Sequence, residues 1–230
     1  WKANSVPTIN TDGTIQSLVN ANQASGFSIV KYTGTGSSAT IGHGLSSAPE
    51  MIIVKSTSDA YEWKIWHKDL SSGYQILFNT AGQASDSSVW TTTTPTSTVF
   101  SIGTNIGVNG SSKNYIAYAF ASISGFSKIG SYNGSGSDGN AVSLGFQPSW
   151  VMIKRINSTG GWLMFDSARS PSNPVNDRIE ANNNQAEQTN SGSKYVDFNA
   201  TDFEANGSDS ELNASGGTYI YMAYKENPTP

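Results

Sequence analysis

A nineteen-residue pattern occurs twice in this chain. Pro49–His67, PEMIIVKSTSDAYEWKIWH, is matched 99 positions later by Pro148–Asp166, PSWVMIKRINSTGGWLMFD. In both, a proline is followed two residues later by four apolar residues and a lysine. Seven loop-like residues and a tryptophan that opens a second apolar stretch complete the pattern. Proline suits the start of a strand because it cannot donate to the ladder. Met51–Val54 and Trp150–Ile153 are apolar without alternation, the pattern of a central strand covered on both faces. Trp63–His67 and Trp162–Asp166 read as their hairpin partners, since short, β-branched and aromatic stretches disfavour a helix. Trp63 and Trp162, at matching places, are expected to be core anchors.

The match extends to either side. GFSIVKYTGTG from Gly26 corresponds to GFSKIGSYNGSG from Gly125. Phe27 and Tyr32 are five residues apart, whereas Phe126 and Tyr132 are six apart. One extra residue in a strand reverses the facing of every residue after it, so a bulge at Gly130 is predicted. Thr40–Leu45 and Ala141–Phe146 read as a further strand in each copy. The copies close with VNGSSKNYIAYAF (Val108–Phe120) and LNASGGTYIYMAY (Leu212–Tyr224) at an offset of 104. In the first of these, Ile116, Tyr118 and Phe120 face one way and Tyr115, Ala117 and Ala119 the other. The middles diverge, and the second is longer and richer in Asn and Pro. Such loops on a fixed scaffold are where recognition usually resides.

Many short strands with turn signals between them predict an all-β protein of two tandem β-sandwich, jelly-roll-like units from an internal duplication, plus an N-terminal arm. The divisions are 1–25 for the arm, 26–124 and 125–230. One larger sandwich, with half supplied by each copy, is the competing arrangement. Asp12-Gly13 marks a turn in the arm, which reads as a hairpin or added edge strand, or as a linker to an upstream module. The chain opens at Trp1 without Met or a signal-like segment, so it is expected to be part of something longer.

Only 13% of residues are charged and the net charge is −4. That argues against a nucleic-acid partner, which needs clustered Lys and Arg. No run of 18 apolar residues predicts membrane insertion, and without cysteine there is no disulfide or thiolate site. Polarity comes from Ser, Thr, Asn and Gly, a neutral surface suited to an extracellular or virion location.

Little in the chain suggests chemistry. No serine sits in a G-x-S-x-G context. Of the two histidines, His43 reads as a turn residue bonded to nearby backbone, and His67 is matched by Asp166 in the second copy. A glycan-degrading enzyme would need two carboxylates in one cleft, whereas Asp59, Asp86, Asp138 and Asp209 fall where turns alone would put them. The chain is therefore expected to be non-enzymatic and without a cofactor. Asp197, Asn199 and Asp202, with Glu204, form the one oxygen-rich run suggestive of calcium. They lack EF-hand spacing, and a solvated loop is the preferred reading. Tyr61, Trp66, Tyr74 and Trp90 have no clear duplicate and are candidate ligand contacts, although packing is the preferred reading. Sequons occur at Asn109, Asn133, Asn157, Asn199, Asn206 and Asn213.

The strings GFSIVKYTGTGSSATIGHGLSSAPEMIIVK, PTSTVF, NYIAYAF, GFSKIGSYNGSG, GFQPSWVMIKR and LNASGGTYIYMAYKENP resemble a family of uncharacterised phage structural proteins. These are tail-fibre-like or other virion-surface proteins, seen especially in phages of aquatic bacteria. The resemblance runs from Trp1 to Pro228. HGLSSAP lacks a second glycine common there, and Trp150 is bulkier than the pattern. It implies a virion-surface structural module, self-associating or attached to other virion proteins, whose loops face a host-surface glycan or receptor. The family has no assigned site residues to carry over. A subunit of an extracellular bacterial filament or adhesin, assembled by strand addition from the arm, is the alternative.

Overall fold

The computed structural model describes residues 3, 6–189 and 192–226. The chain divides into two compact units, the first running to Leu77 and resuming over Gln83–Ile123, the second formed by Phe78–Gly82 and the residues from Ser124 on. Both are built of antiparallel strands, and no helix among the described residues is long and apolar enough to cross a membrane.

The first unit contains β1 (Thr8–Asn10), β2 (Ser17–Asn22), β3 (Phe27–Thr33), β4 (Ala39–Gly42), β5 (Met51–Ser56), β6 (Lys64–His67) and β7 (Tyr74–Leu77). β8 (Ala84–Ser85), β9 (Val99–Ile102), the one-turn helix α1 (Ile106–Asn109) and β10 (Asn114–Phe120) follow. Its larger sheet has the order β1-β2-β3-β10-β5-β6-β7-β8, and β4 pairs with β9 in a smaller one. The second unit contains β11 (Ser127–Asn133), β12 (Asn140–Ser143), β13 (Trp150–Arg155) and β14 (Trp162–Asp166). It continues with β15 (Arg178–Glu180), β16 (Val196–Phe198), β17 (Asp202–Ala205) and β18 (Thr218–Tyr224). Its sheets are ordered β11-β18-β13-β14-β15 and β12-β17-β16. The core order β3-β10-β5-β6-β7 thus recurs, strand for strand, as β11-β18-β13-β14-β15, and β4-β9 as β12-β17.

Each unit holds its own sandwich-like core. In the first, Val30, Tyr32, Ile52, Val54, Tyr115, Ala117 and Ala119 from the larger sheet meet Ile41, Phe100 and Ile102 from the smaller. In the second, Val151, Ile153, Leu163, Phe165, Tyr219 and Tyr221 meet Val142, Phe203 and Ala205. The alternation read in β10 therefore decides which residues enter the core. Met51–Val54 are all buried, as the unbroken apolar run requires of a strand flanked by β10 and β6. The arm lies in the first unit's sheet, where β1 pairs with β2 and β2 with β3.

The expected bulge at Gly130 is absent. β11 pairs with β18 without interruption from Ser127↔Tyr224 to Asn133↔Thr218. By register, Tyr132 opposite Tyr219 corresponds to Tyr32 opposite Tyr115, so the extra residue falls before the strand. Phe27 is the first residue of β3, whereas Phe126 sits in the preceding turn. Phe126 still packs on Tyr224, with centroids 5.4 Å apart, as Phe27 packs on Phe120 at 5.0 Å. The turn absorbs the extra residue because turn backbone adapts more cheaply than a ladder that would lose hydrogen bonds.

Gly130 has another cause. It lies opposite Tyr221, where the first unit pairs Val30 with Ala117. A Cβ at Gly130 would meet the Tyr221 hydroxyl at 2.8 Å. Large and small have exchanged strands. Gly130→Val should therefore cost about 1–3 kcal/mol by overpacking. Adding Tyr221→Ala, which recreates the first unit's pair, should recover most of that loss in urea unfolding. No recovery would mean that volume is not the reason for the glycine.

Both units carry the same polar hub at one end. Tyr32 donates to the Val108 carbonyl at 2.7 Å and stacks on Tyr115, while Tyr132 donates to the Leu212 carbonyl at 2.6 Å and stacks on Tyr219. Burial, reinforced by the partner tyrosine, pushes the Tyr32 and Tyr132 hydroxyls well above their ordinary range, so both remain donors. Beside them lie Asn109 and Asn213, both fully buried. Asn109 accepts from the Thr35 N–H and donates to the Ser37 and Gly103 carbonyls. Asn213 does the same with Ser135, Ser137 and Gly207. Asn206 is also buried and bonded through both side-chain atoms, to Gly139 and Asp197. Three of the six sequons are thus structural amides.

Candidate functional site

A cleft of about 610 Å³ lies in the second unit. Its walls come from the corner before β13, from the 167–175 segment that follows β14, and from the chain just after β18. Gln147, Ser149, Ser167, Ser170, Asn173 and Phe198 account for most of its chemistry. Asn173 fixes one wall: its Oδ1 accepts from the Phe198 N–H at 2.9 Å and its Nδ2 donates to the Phe198 carbonyl at 3.3 Å. Gln147 Nε2 donates to the same carbonyl at 3.2 Å. Ser170 Oγ accepts from the Asp177 N–H at 3.1 Å. These bonds, with the isolated antiparallel bridge Val175↔Val196, hold the 167–177 segment in place.

The corresponding place in the first unit carries an ion pair. Two backbone bonds set the equivalence. Glu50 N–H donates to the Phe120 carbonyl at 2.7 Å and Ser149 N–H to Tyr224 at 2.8 Å, while Lys68 to Glu50 and Ser167 to Ser149 are each 2.9 Å. In the first unit the Glu50 carboxylate then binds the Lys68 ammonium at 2.8 Å and accepts from the Ser122 N–H at 3.2 Å. In the second, serines replace both long side chains, and the space stays open.

The aromatic residues singled out in the sequence do not form a platform. Trp90 is a correction: it is 1% exposed and belongs to the first unit's core. Its chain turns inward through the Trp90 N–H to Asp86 carbonyl bond. Trp66 is half-buried and packs on the same core from β6. Tyr61 and Tyr74 are half-buried at opposite ends of β6, since Lys64 pairs with Leu77. The anchors also differ. Trp162 is buried and 4.8 Å from the Phe78 ring, whereas Trp63 is only half-buried and lies under the Lys55 amine at 5.9 Å.

The lysine common to both patterns closes the loop before each tryptophan. Lys55 donates to the Tyr61 carbonyl, and Lys154 to the Gly160 carbonyl, six residues on in both cases. Lys154 also reaches the Thr80 carbonyl at 3.3 Å. Burial pushes its amine down to about 8, with Glu211 opposing. Asp197, Asn199 and Asp202 lie in the β16–β17 hairpin. Asp197 accepts from Asn206, and Asp202 from Asn199 at 2.9 Å. Among the described residues no group of three or more His, Cys, Asp or Glu is placed to hold a metal ion.

His43 is fully buried, its Nδ1 accepting from the Leu45 N–H and its Nε2 3.1 Å from the Thr96 carbonyl. A carbonyl only accepts, so the ring is the neutral Nε2–H tautomer. Burial lowers its pKa, with the Thr96 bond and Asp12 opposing. The unfolded chain therefore binds the proton more readily, and stability falls as pH drops below the ordinary histidine value of about 6.5. Urea midpoints between pH 7.5 and 5 should decline less steeply for His43→Gln than for the wild type. Equal slopes would place the titrating group elsewhere.

A family model described as Domain of unknown function (DUF7483) matches residues 1–228. The chain belongs to this family. No curated protein and no solved structure matches it. Within this family member, local sequence motifs gave no hint of Gln147, Ser149, Ser167, Ser170 or Asn173. The available signal was the contrast, at constant offset, of Glu50 and Lys68 with Ser149 and Ser167.

Proposed function

We propose that this chain is a non-enzymatic structural module of a phage virion surface, a fibre or decoration component, descended from one duplicated β-sandwich unit. The observation that carries the reading is a scaffold used twice. The two units share one strand order, one lysine latch and one buried-asparagine hub, while the segments between β6 and β9 and between β14 and β17 differ. Constant framework with variable connecting segments is the design of a display protein. The divergent second unit, which holds the open cleft, is the recognising one, and the partner class is a host-surface glycan or receptor.

The filament alternative has one observation in its favour. β1 is an edge strand, and Val6 and Ile9 are 69% and 70% exposed, so a neighbour could pair there. β2, however, is already hydrogen-bonded to β3 along its length, from Ser17↔Tyr32 to Asn22↔Phe27. Donating it would break that ladder, which favours the virion module. Mass spectrometry and immunogold microscopy of gradient-purified particles test the reading. The chain should be found on the particle exterior. Its absence from purified virions, or its presence in cell-borne filaments, would overturn it.

A further inference from the structure

The geometry points to the second unit's cleft as a binding site for a neutral, polyhydroxylated ligand, a short saccharide segment. This deepens the reading above and rests on the second unit being the recognising one. At about 610 Å³ the cleft falls within the range of small-ligand sites.

Its lining decides the ligand class. Ser149, Ser167, Ser170 and Ser172 place four hydroxyls around the space. Ser149 and Ser167 donate to the Tyr224 and Ser149 carbonyls at 3.3 and 3.4 Å and keep lone pairs to accept from a sugar hydroxyl, which both donates and accepts. Ser170 Oγ already accepts from Asp177 and keeps its own proton to give. Gln147 gives its amide N–H to Phe198 and keeps its carbonyl oxygen to accept. Pro171 is exposed and adds rigid apolar surface against which the C–H face of a sugar ring can lie. The charged groups at the cleft are Lys225 and Glu226, adjacent in sequence, exposed and of opposite sign. Their fields cancel, so nothing selects an anionic or cationic ligand.

The first unit supplies the internal control. On the same backbone, Glu50 and Lys68 carry an ion pair at this place. The two serines of the second unit thus remove side chains that would fill the site.

A glycan array of neutral and anionic oligosaccharides, probed with the labelled full chain and followed by calorimetry of the hits, tests the inference. Three proteins are compared: the wild type, Ser149→Glu/Ser167→Lys, which writes the first unit's pair into the cleft, and Glu50→Ser/Lys68→Ser, which removes it from the first unit. The wild type should bind one or more neutral oligosaccharides. The cleft-filling variant should weaken that binding by about tenfold or more, through displaced contacts, while the first-unit variant leaves it unchanged. Circular dichroism of each protein confirms folding. Binding of anionic glycans alone, equal binding by the cleft-filling variant, or a blank array would overturn the proposal. None of these touches the virion reading, which particle composition decides.

Discussion

Asn213→Ala destabilises the second unit by about 3 kcal/mol or more in urea unfolding, and Asn109→Ala does the same to the first. Each side chain is fully buried and binds three backbone groups of separate segments. Removing it takes the partner from one N–H and two carbonyls, at about 1–3 kcal/mol for each group left unsatisfied. Asn213→Asp is expected to be at least as harmful, because a carboxylate would face the Ser137 and Gly207 carbonyls with no proton to give. Losses below about 1 kcal/mol would mean that the segments around each asparagine are held by other contacts. The same burial predicts that neither Asn109 nor Asn213 carries a glycan in the folded protein, whatever the host.

Trp162→Ala costs about 3–5 kcal/mol, the range for emptying a large aromatic from a core. Trp63→Ala costs about 1–2 kcal/mol, despite the equivalent position. Trp162 is 1% exposed and covered by the Phe78 ring. Trp63 is half-buried, stacks loosely on Tyr118 with centroids 6.4 Å apart and lies beneath an amine. Less apolar area leaves water when Trp63 packs, so less is lost with it. Comparable losses at the two positions would contradict this asymmetry.

Much of the framework was legible because periodicity and repetition report on it directly. The unbroken apolar runs at Met51–Val54 and Trp150–Ile153 marked the central strands, and the alternation in β10 marked the core face. The extra residue before Tyr132 was visible, but its location was not. Sequence spacing cannot show that Phe126 leaves the strand and packs on Tyr224 from a turn. Trp90 was misread for a similar reason: its polar neighbours Asp86–Ser88 and Thr91–Thr94 resemble a solvated loop, and only tertiary packing turns the indole inward. The cleft was illegible as a motif because its residues come from four separated stretches. Its one trace is the exchange of two charged residues for two serines.

The account rests on the two units being one scaffold, carrying an ion pair at this place in the first and open there in the second. Thermal unfolding of the reciprocal exchange, Glu50→Ser/Lys68→Ser together with Ser149→Glu/Ser167→Lys, tests that claim most directly. If the scaffolds are equivalent, each accepts the other's pair. A partly exposed ion pair contributes about 1 kcal/mol or less, so the exchanged chain should keep a Tm within about 5 °C of the wild type. A drop of more than about 10 °C, or loss of a cooperative transition, would contradict the equivalence of the two units.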